Sequence, residues 1–223
     1  LACKHGHVDI VRLLLETLKS EESRERPQQD PDDRQKFGGR SVPNSAGRSR
    51  KSMLRIQDGS YRWAPLTWAA TKGHLEIVRL LLTAGADPEG ETQSPASGPL
   101  GAACSRENNE KVIKSLVKAG ADVNRVGGES GKITPLHAGC AQGNTATVRA
   151  LLKTNKKVIM DPRDANGCTP LMLACRGGYL KCVRMLLDRG ADWRIATKTG
   201  NWTSLMYAAE GGFTKIVYRL LHW

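Results

Sequence analysis

Aromatic residues are scarce in this 223-residue chain, where Phe, Trp and Tyr together make up 5%. Proteins that bind single-stranded nucleic acid stack bases on aromatic side chains, so nucleic acid is an unfavoured partner. Long hydrophobic runs are lacking as well, since even the apolar stretch at residues 77–82 is interrupted by Arg79. A membrane-spanning helix needs about 20 apolar residues. The sequence therefore predicts no membrane insertion.

Paired metal-ligand or catalytic motifs are also missing. None of the six cysteines belongs to a Cys-x-x-Cys pair of the kind that binds zinc. The five histidines belong to no Ser-His-Asp set, and no pair of metal-binding carboxylates is evident. We predict no metal, no cofactor and no catalytic activity. Reduced thiols are typical of cytosolic and nuclear proteins, so an intracellular location is expected, cytoplasmic or also nuclear.

Positive charge is in excess, because 34 Lys and Arg against 22 Asp and Glu leave a net charge of +12. Residues 64–223 contribute +8 of it, with 21 basic and 13 acidic side chains. Charge of this sign favours acidic partners by electrostatic attraction.

A four-residue pattern recurs five times, at residues 64–67, 98–101, 134–137, 169–172 and 203–206. The second residues of these segments are 34, 36, 35 and 34 positions apart, and an aliphatic run follows each of them. Residues 6–15 match residues 73–82 nearly residue for residue. A constant period of this length predicts stacked structural repeats.

Each unit carries the signals of two helices. A threonine stands where an N-cap hydroxyl accepts from a free backbone N–H, at Thr134, Thr169 and Thr203. In three units a glycine follows the second helix, where it adopts the left-handed conformation without strain, at Gly85, Gly120 and Gly190.

At these residues the chain resembles an ankyrin-repeat protein, whose unit of about 33 residues is a turn plus two antiparallel helices with a Thr-Pro-Leu-His motif, as at residues 134–137. The resemblance implies an all-α ankyrin-repeat solenoid of stacked helix-turn-helix units with hairpin connections. Full repeats are expected at 64–97, 98–132, 133–167 and 168–201, and truncated repeats at 1–20 and 202–223.

Residues 21–63 lie between the first repeat and the others. Prolines, paired glycines and polar residues without helical spacing predict a disordered polar insertion, basic in its second half. Residues 48–52 read Arg-Ser-Arg-Lys-Ser. They are either a basic localisation or partner-binding motif, with phosphorylation at Ser49 or Ser52 as a switch, or a solvated loop without a specific role.

Most cysteines fall in core columns of the repeat. Cys3, Cys104, Cys140 and Cys175 share one small-residue position of the first helix, where a free cysteine behaves as a small hydrophobe. The resemblance likewise implies a structural, hydrogen-bonding role for His137.

The resemblance implies that the first helices and the hairpin tips line a concave groove, which is the expected site of protein binding. Its candidate residues are the apolar anchors Trp68, Leu173 and Tyr207, the cations Lys72, Arg106 and Arg176, and, in the last hairpin, Trp193 and Arg194. Trp, Tyr and Arg are the residues that interface hot spots favour. The alternative is that Trp68 and Tyr207 pack against neighbouring repeats.

Two classes of function follow. The first is a protein-interaction module whose groove binds a partner protein or peptide, acidic or mixed in charge. The alternative is a regulatory or targeting arm of a larger enzyme, channel or ubiquitin-ligase adaptor. It is motivated by ends at Leu1 and Trp223 that both lie within helical patterns, as expected for a piece of a longer polypeptide.

Overall fold

A computed structural model describes residues 1–24, 54–57, 63–90, 98–127, 131–154 and 156–223. These ranges contain twelve α-helices, with two isolated β-bridges, Gly127 to Ile133 and Ala196 to Thr203, in the hairpins between them. In chain order the helices are α1 (Ala2–His5), α2 (Val8–Arg24), α3 (Pro65–Lys72), α4 (Leu75–Thr83), α5 (Gly98–Cys104), α6 (Glu110–Lys118), α7 (Pro135–Ala141), α8 (Thr145–Leu152), α9 (Pro170–Arg176), α10 (Leu180–Leu187), α11 (Ser204–Glu210) and α12 (Thr214–Leu221).

The helices form two layers. The first helices of the units (α1, α3, α5, α7, α9 and α11) pack on one another in chain order, and the second helices (α2, α4, α6, α8, α10 and α12) do the same. Because α1 packs directly on α3, and α2 on α4, the stack continues across the insertion. The all-α repeat solenoid predicted from the sequence is confirmed.

The first helices begin as the sequence predicts. The side chain of Thr134 accepts a hydrogen bond from the backbone N–H of His137, and Thr169 does so from Met172. Thr203 caps α11 in the same way. Each cap satisfies one of the N–H groups that the first helical turn leaves without a partner.

One position just before each second helix joins neighbouring units. The amide of Asn109 donates to the Ala70 carbonyl of the preceding unit at 3.1 Å. Asn144, in the next unit, donates to the Arg106 carbonyl at 2.6 Å. Tyr179 follows at the equivalent position with an aromatic ring in place of an amide. The contact between units is thus polar in the middle of the stack and aromatic toward its end.

His137 forms a second kind of junction. It is fully buried, its Nδ1 accepts from the Thr134 backbone N–H at 3.2 Å, and its Nε2 lies 3.1 Å from the carbonyl of Cys168 in the next unit. An acceptor at Nδ1 requires the proton on Nε2, so the neutral ring donates to Cys168. Burial lowers the pKa of His137, and the Cys168 bond and the charge of Asp164 offset only part of this.

We therefore expect the free energy of unfolding to fall as the pH is lowered below about 6.5, the ordinary histidine pKa. Below that pH unfolded histidine binds a proton that buried His137 does not, so protons favour the unfolded state. Urea unfolding measures the free energy of unfolding at neutral and at mildly acidic pH. Its decrease between the two pH values should be smaller for His137→Gln than for the parent chain. The other titrating groups are common to both proteins, so parallel pH profiles would contradict a depressed His137 pKa.

The insertion begins and ends differently from the expected loop. Helix α2 continues to Arg24, so its last residues lie within the range 21–63 that was assigned to the insertion. Near the other end, Leu54 is only 7% exposed and belongs to the main hydrophobic core. Leu54 is therefore an exception to the expected solvated loop. Ser49 and Ser52 lie outside the described residues, and the disorder of the remaining insertion stays a prediction.

No helix in the described ranges combines the length and the apolar character that crossing a membrane would require.

Candidate protein-binding surface

Residues at one equivalent position of the repeat, which are expected to line the groove, differ in how deeply they are buried. Its middle members are buried, with 5% exposure at Ala102, 9% at Ala138 and 6% at Leu173, whereas Trp68 and Tyr207 are partly exposed. The prediction that Leu173 is an exposed anchor needs correction. Leu173 packs with Cys168 and Met172 beneath the side chains of Ile195 and Tyr207.

A cleft of about 360 Å³ opens where the last two units meet. It lies between the hairpins that precede α9 and α11 and the ends of these two helices. Its lining residues are Asn166, Cys168, Arg176, Thr197, Thr199, Trp202, Tyr207 and Glu210. We call it the C-terminal cleft.

Aromatic rings and a cation form one side of the C-terminal cleft. The rings of Trp202 and Tyr207 are 5.1 Å apart between centroids and tilted by 42°. The Arg176 guanidinium carbon lies 6.0 Å from the Tyr207 ring centroid, within reach of a cation–π interaction. The Tyr207 hydroxyl is 3.7 Å from the Cys168 sulfur. Burial, followed by this contact, raises the pKa of Tyr207.

The charges of the C-terminal cleft are available to a partner. Arg176 and Glu210 are both exposed, each at the last residue of its helix, α9 and α11. Neither side chain forms an ion pair with any described residue. The cleft can therefore bind an acidic group at Arg176 and a hydrogen-bond donor at Glu210, on either side of an apolar surface.

The hairpin before α11 holds the cleft in shape. The buried Thr197 hydroxyl accepts from the Trp202 backbone N–H at 2.9 Å and donates to the Thr199 carbonyl at 2.8 Å. Asn201 adopts a left-handed conformation, with φ of 52°, which Asn tolerates better than most residues. Trp202 is thereby presented beside Tyr207. The repeat columns did not predict Asn166, Thr197 or Thr199 as site residues, because hairpin residues lie outside the helical columns.

Trp68 occupies a separate environment at the other end of the stack. Its ring meets that of Trp63 edge-on at 4.8 Å, and the ammonium of Lys4, from the first unit, lies 4.8 Å from the Trp68 ring centroid. Trp68 and Tyr207 thus each contact the preceding unit while part of their surface stays exposed. Lys72, the last residue of α3, and Arg106, two residues after α5, are exposed and do not line the C-terminal cleft.

The pair in the last hairpin, Trp193 and Arg194, is also outside the cleft. The Trp193 ring is half-buried against the main core, and the exposed Arg194 guanidinium carbon lies 5.4 Å from its centroid. An aspartate turn positions them, since the Arg194 backbone N–H donates to the Asp192 carboxylate at 2.9 Å. They form a small surface of their own on the hairpin tip.

Burial of the cysteines in the core lowers the reactivity of their thiols. All six cysteines are free, and five of them are buried. Burial raises the pKa of Cys175 to about 12 and that of Cys104 further. The reactive thiolate form of these two cysteines is therefore negligible at neutral pH. Within the ranges described, no group of three or more His, Cys, Asp or Glu side chains could hold a metal ion.

The chain matches a family model described as ankyrin repeats in three copies, at residues 1–92, 44–127 and 100–197. No curated protein matches the chain.

Proposed function

The chain belongs to the ankyrin-repeat family, and from this premise we propose that it is a protein-binding module whose partner docks in the concave groove and on the hairpin tips. Ankyrin repeats are generally protein–protein interaction modules rather than enzymes. The observation that carries the proposal for this chain is the C-terminal cleft. Arg176 and Glu210, which form no ion pair within the part of the chain that the structure describes, flank a pair of partly exposed aromatic rings there.

The cleft favours a partner segment with two adjacent features. An acidic side chain would pair with Arg176, whose guanidinium already lies above the Tyr207 ring. An apolar or aromatic side chain would cover Trp202 and Tyr207, and such anchors dominate the binding energy of most interfaces. Glu210 would accept a hydrogen bond from a backbone or side-chain N–H of the same segment.

A random peptide library displayed on phage tests this proposal without a known partner. We expect selection on the parent chain to enrich peptides that carry an acidic residue next to an apolar one. For the enriched peptides, Arg176→Glu and Tyr207→Ala should each weaken binding by about tenfold or more, as expected for hot-spot residues.

Lys157→Glu is the matched control, because Lys157 is an exposed cation that does not line the cleft. Its binding should stay within about twofold of the parent, since distant surface substitutions have small effects. Far-UV circular dichroism establishes that each variant is folded. Peptides whose affinity is insensitive to both Arg176→Glu and Tyr207→Ala would place the binding surface elsewhere.

We also propose an intracellular location, in the cytoplasm or the nucleus. Six free thiols, with no disulfide among them, support a reducing compartment.

A further inference from the structure

A row of cations runs along the outer layer of the solenoid. Arg79, Lys114, Arg149 and Arg184 occupy equivalent positions on α4, α6, α8 and α10, and all four are exposed. Each directly follows a fully buried branched side chain: Val78, Ile113, Val148 and Val183. The buried residue fixes the rotation of its helix, so the following cation points away from the core in every unit. We call these four residues the outer cation row.

The surroundings of the row are basic as well. Exposed lysines flank it on the same helices or one residue beyond them, at Lys111, Lys118, Lys153 and Lys181. Helices α6, α8 and α10 carry one acidic residue among them, Glu110, which is paired with Lys114 at 2.6 Å. The Lys114 hydrogen bond and charge lower the pKa of Glu110, and the charges of Arg149 and Lys153 add to this. The cations of α6, α8 and α10 therefore share one region of positive potential, whereas on α4 the exposed Glu76 offsets part of the charge of Arg79.

Three of the four cations of the row are without a charged partner among the described residues. Arg79, Arg149 and Arg184 form no side-chain hydrogen bond or ion pair with any described residue. The excess of positive charge decreases toward both ends of the outer cation row. Arg12 continues the column onto α2, where Asp9 and Glu16 offset its charge, and at the other end Asp188 is paired with Arg219 at 3.1 Å.

The spacing of the row indicates what fits it. Packed helices lie about 8–10 Å apart, and α4, α6, α8 and α10 are successive neighbours in the stack. A polyproline II helix has three residues per turn and rises 3.1 Å per residue, so side chains at every third position recur on one face about 9.3 Å apart. We propose that the outer cation row binds an acidic polyproline II segment of a partner protein, with a carboxylate at every third residue.

Other polyanions suit this surface less well. Helices α4, α6, α8 and α10 contain no aromatic residue on which a base could stack. The row is a single file about 30 Å long, given the packing distance of the helices. An anionic bilayer presents a two-dimensional field of charge, from which a single file gains no selectivity. A linear acidic peptide matches both the sign and the geometry of the row.

Binding of a labelled peptide made of five Glu-Pro-Pro units, followed by fluorescence anisotropy at about 50 mM salt, tests the proposal. Arg149→Glu with Arg184→Glu should weaken binding by about tenfold or more, because two favourable charge contacts become repulsive. Lys132→Glu with Lys157→Glu changes the net charge equally at exposed hairpin positions and should leave the affinity within about twofold. A peptide of the same composition with its glutamates consecutive should bind more weakly.

Several outcomes would overturn the proposal. Equal losses of affinity in both double variants would indicate attraction by net charge alone. Equal affinity for the peptide with consecutive glutamates would exclude the three-residue register. Tighter binding of a DNA duplex or of anionic vesicles than of the peptide would assign the row to another polyanion. Arg176→Glu in the C-terminal cleft should leave binding of the acidic peptide unchanged. The proposal for the outer cation row and the proposal for the groove can therefore be tested independently.

Discussion

Replacing Leu151 by alanine is expected to lower the free energy of unfolding by about 3–5 kcal/mol, the range for a fully buried leucine whose cavity cannot collapse. Leu151 is fully buried on α8, which packs between α6 and α10. Loss of its side chain removes apolar contacts from the main core, to which Leu151 belongs. Urea unfolding followed by far-UV circular dichroism measures the loss.

Leu14 provides a matched control for Leu151. It occupies the same column on α2, but it is 45% exposed because α2 packs on a second helix, α4, on one side only within the described ranges. Leu14→Ala should therefore lower the free energy of unfolding by less than about 1.5 kcal/mol, because it removes little buried apolar surface. Equal losses for the two variants would show that the column alone, and not the flanking units, sets the contribution of a leucine.

Replacing Gly143 by alanine is expected to cost about 3 kcal/mol, from backbone strain and overpacking together. Gly143 has φ of 65°, a left-handed conformation that side chains disfavour. A Cβ atom there would lie 2.4 Å from the Tyr179 ring of the next unit. The clash involves ring atoms close to the Tyr179 backbone, so a rotation of the ring tip does not relieve it.

The substitution Gly190→Ala separates the contribution of backbone strain from that of overpacking. It has φ of 82°, and nothing lies within 4 Å of the position of its Cβ. Gly190→Ala should therefore cost only the backbone strain, about 1–2 kcal/mol. In a Tyr179→Ala background, the cost of Gly143→Ala should fall to that of Gly190→Ala. A cost that is unchanged by removing the ring would show that the contact between units plays no part.

Local signals explain why so much of the fold could be predicted. Thr134 and Thr169 cap their helices as expected, and successive helix pairs pack on one another in chain order, as a constant period predicts. The end of α2 could not be predicted in this way, because it continues to Arg24 without a cap signal. Leu54 was missed because Met53, Leu54 and Ile56 form too short an apolar cluster to show helical spacing, although the fold buries Leu54.

The candidate site was predicted only in part. Arg176 and Tyr207 were singled out from their type and position, and both line the same cleft, together with Trp202. Thr197, which holds the hairpin through hydrogen bonds across its own turn, gave no signal of its own. The outer cation row was present in the aligned repeats, but its meaning depended on knowing that Arg79, Arg149 and Arg184 are exposed and form no ion pair with any residue that the structure describes.

Sequence alone determined the repeat, the helix pairs and the column to which each residue belongs, because caps, turns and apolar spacing act over a few residues. Only the tertiary structure decided which members of a column reach solvent. Leu173 and Tyr207 share a column, yet Leu173 is buried beneath Ile195 and the ring of Tyr207, which stays partly exposed. The reason is physical. Exposure depends on the side chains that later segments place above a residue, here 22 and 34 positions away along the chain, and no local pattern encodes that contact.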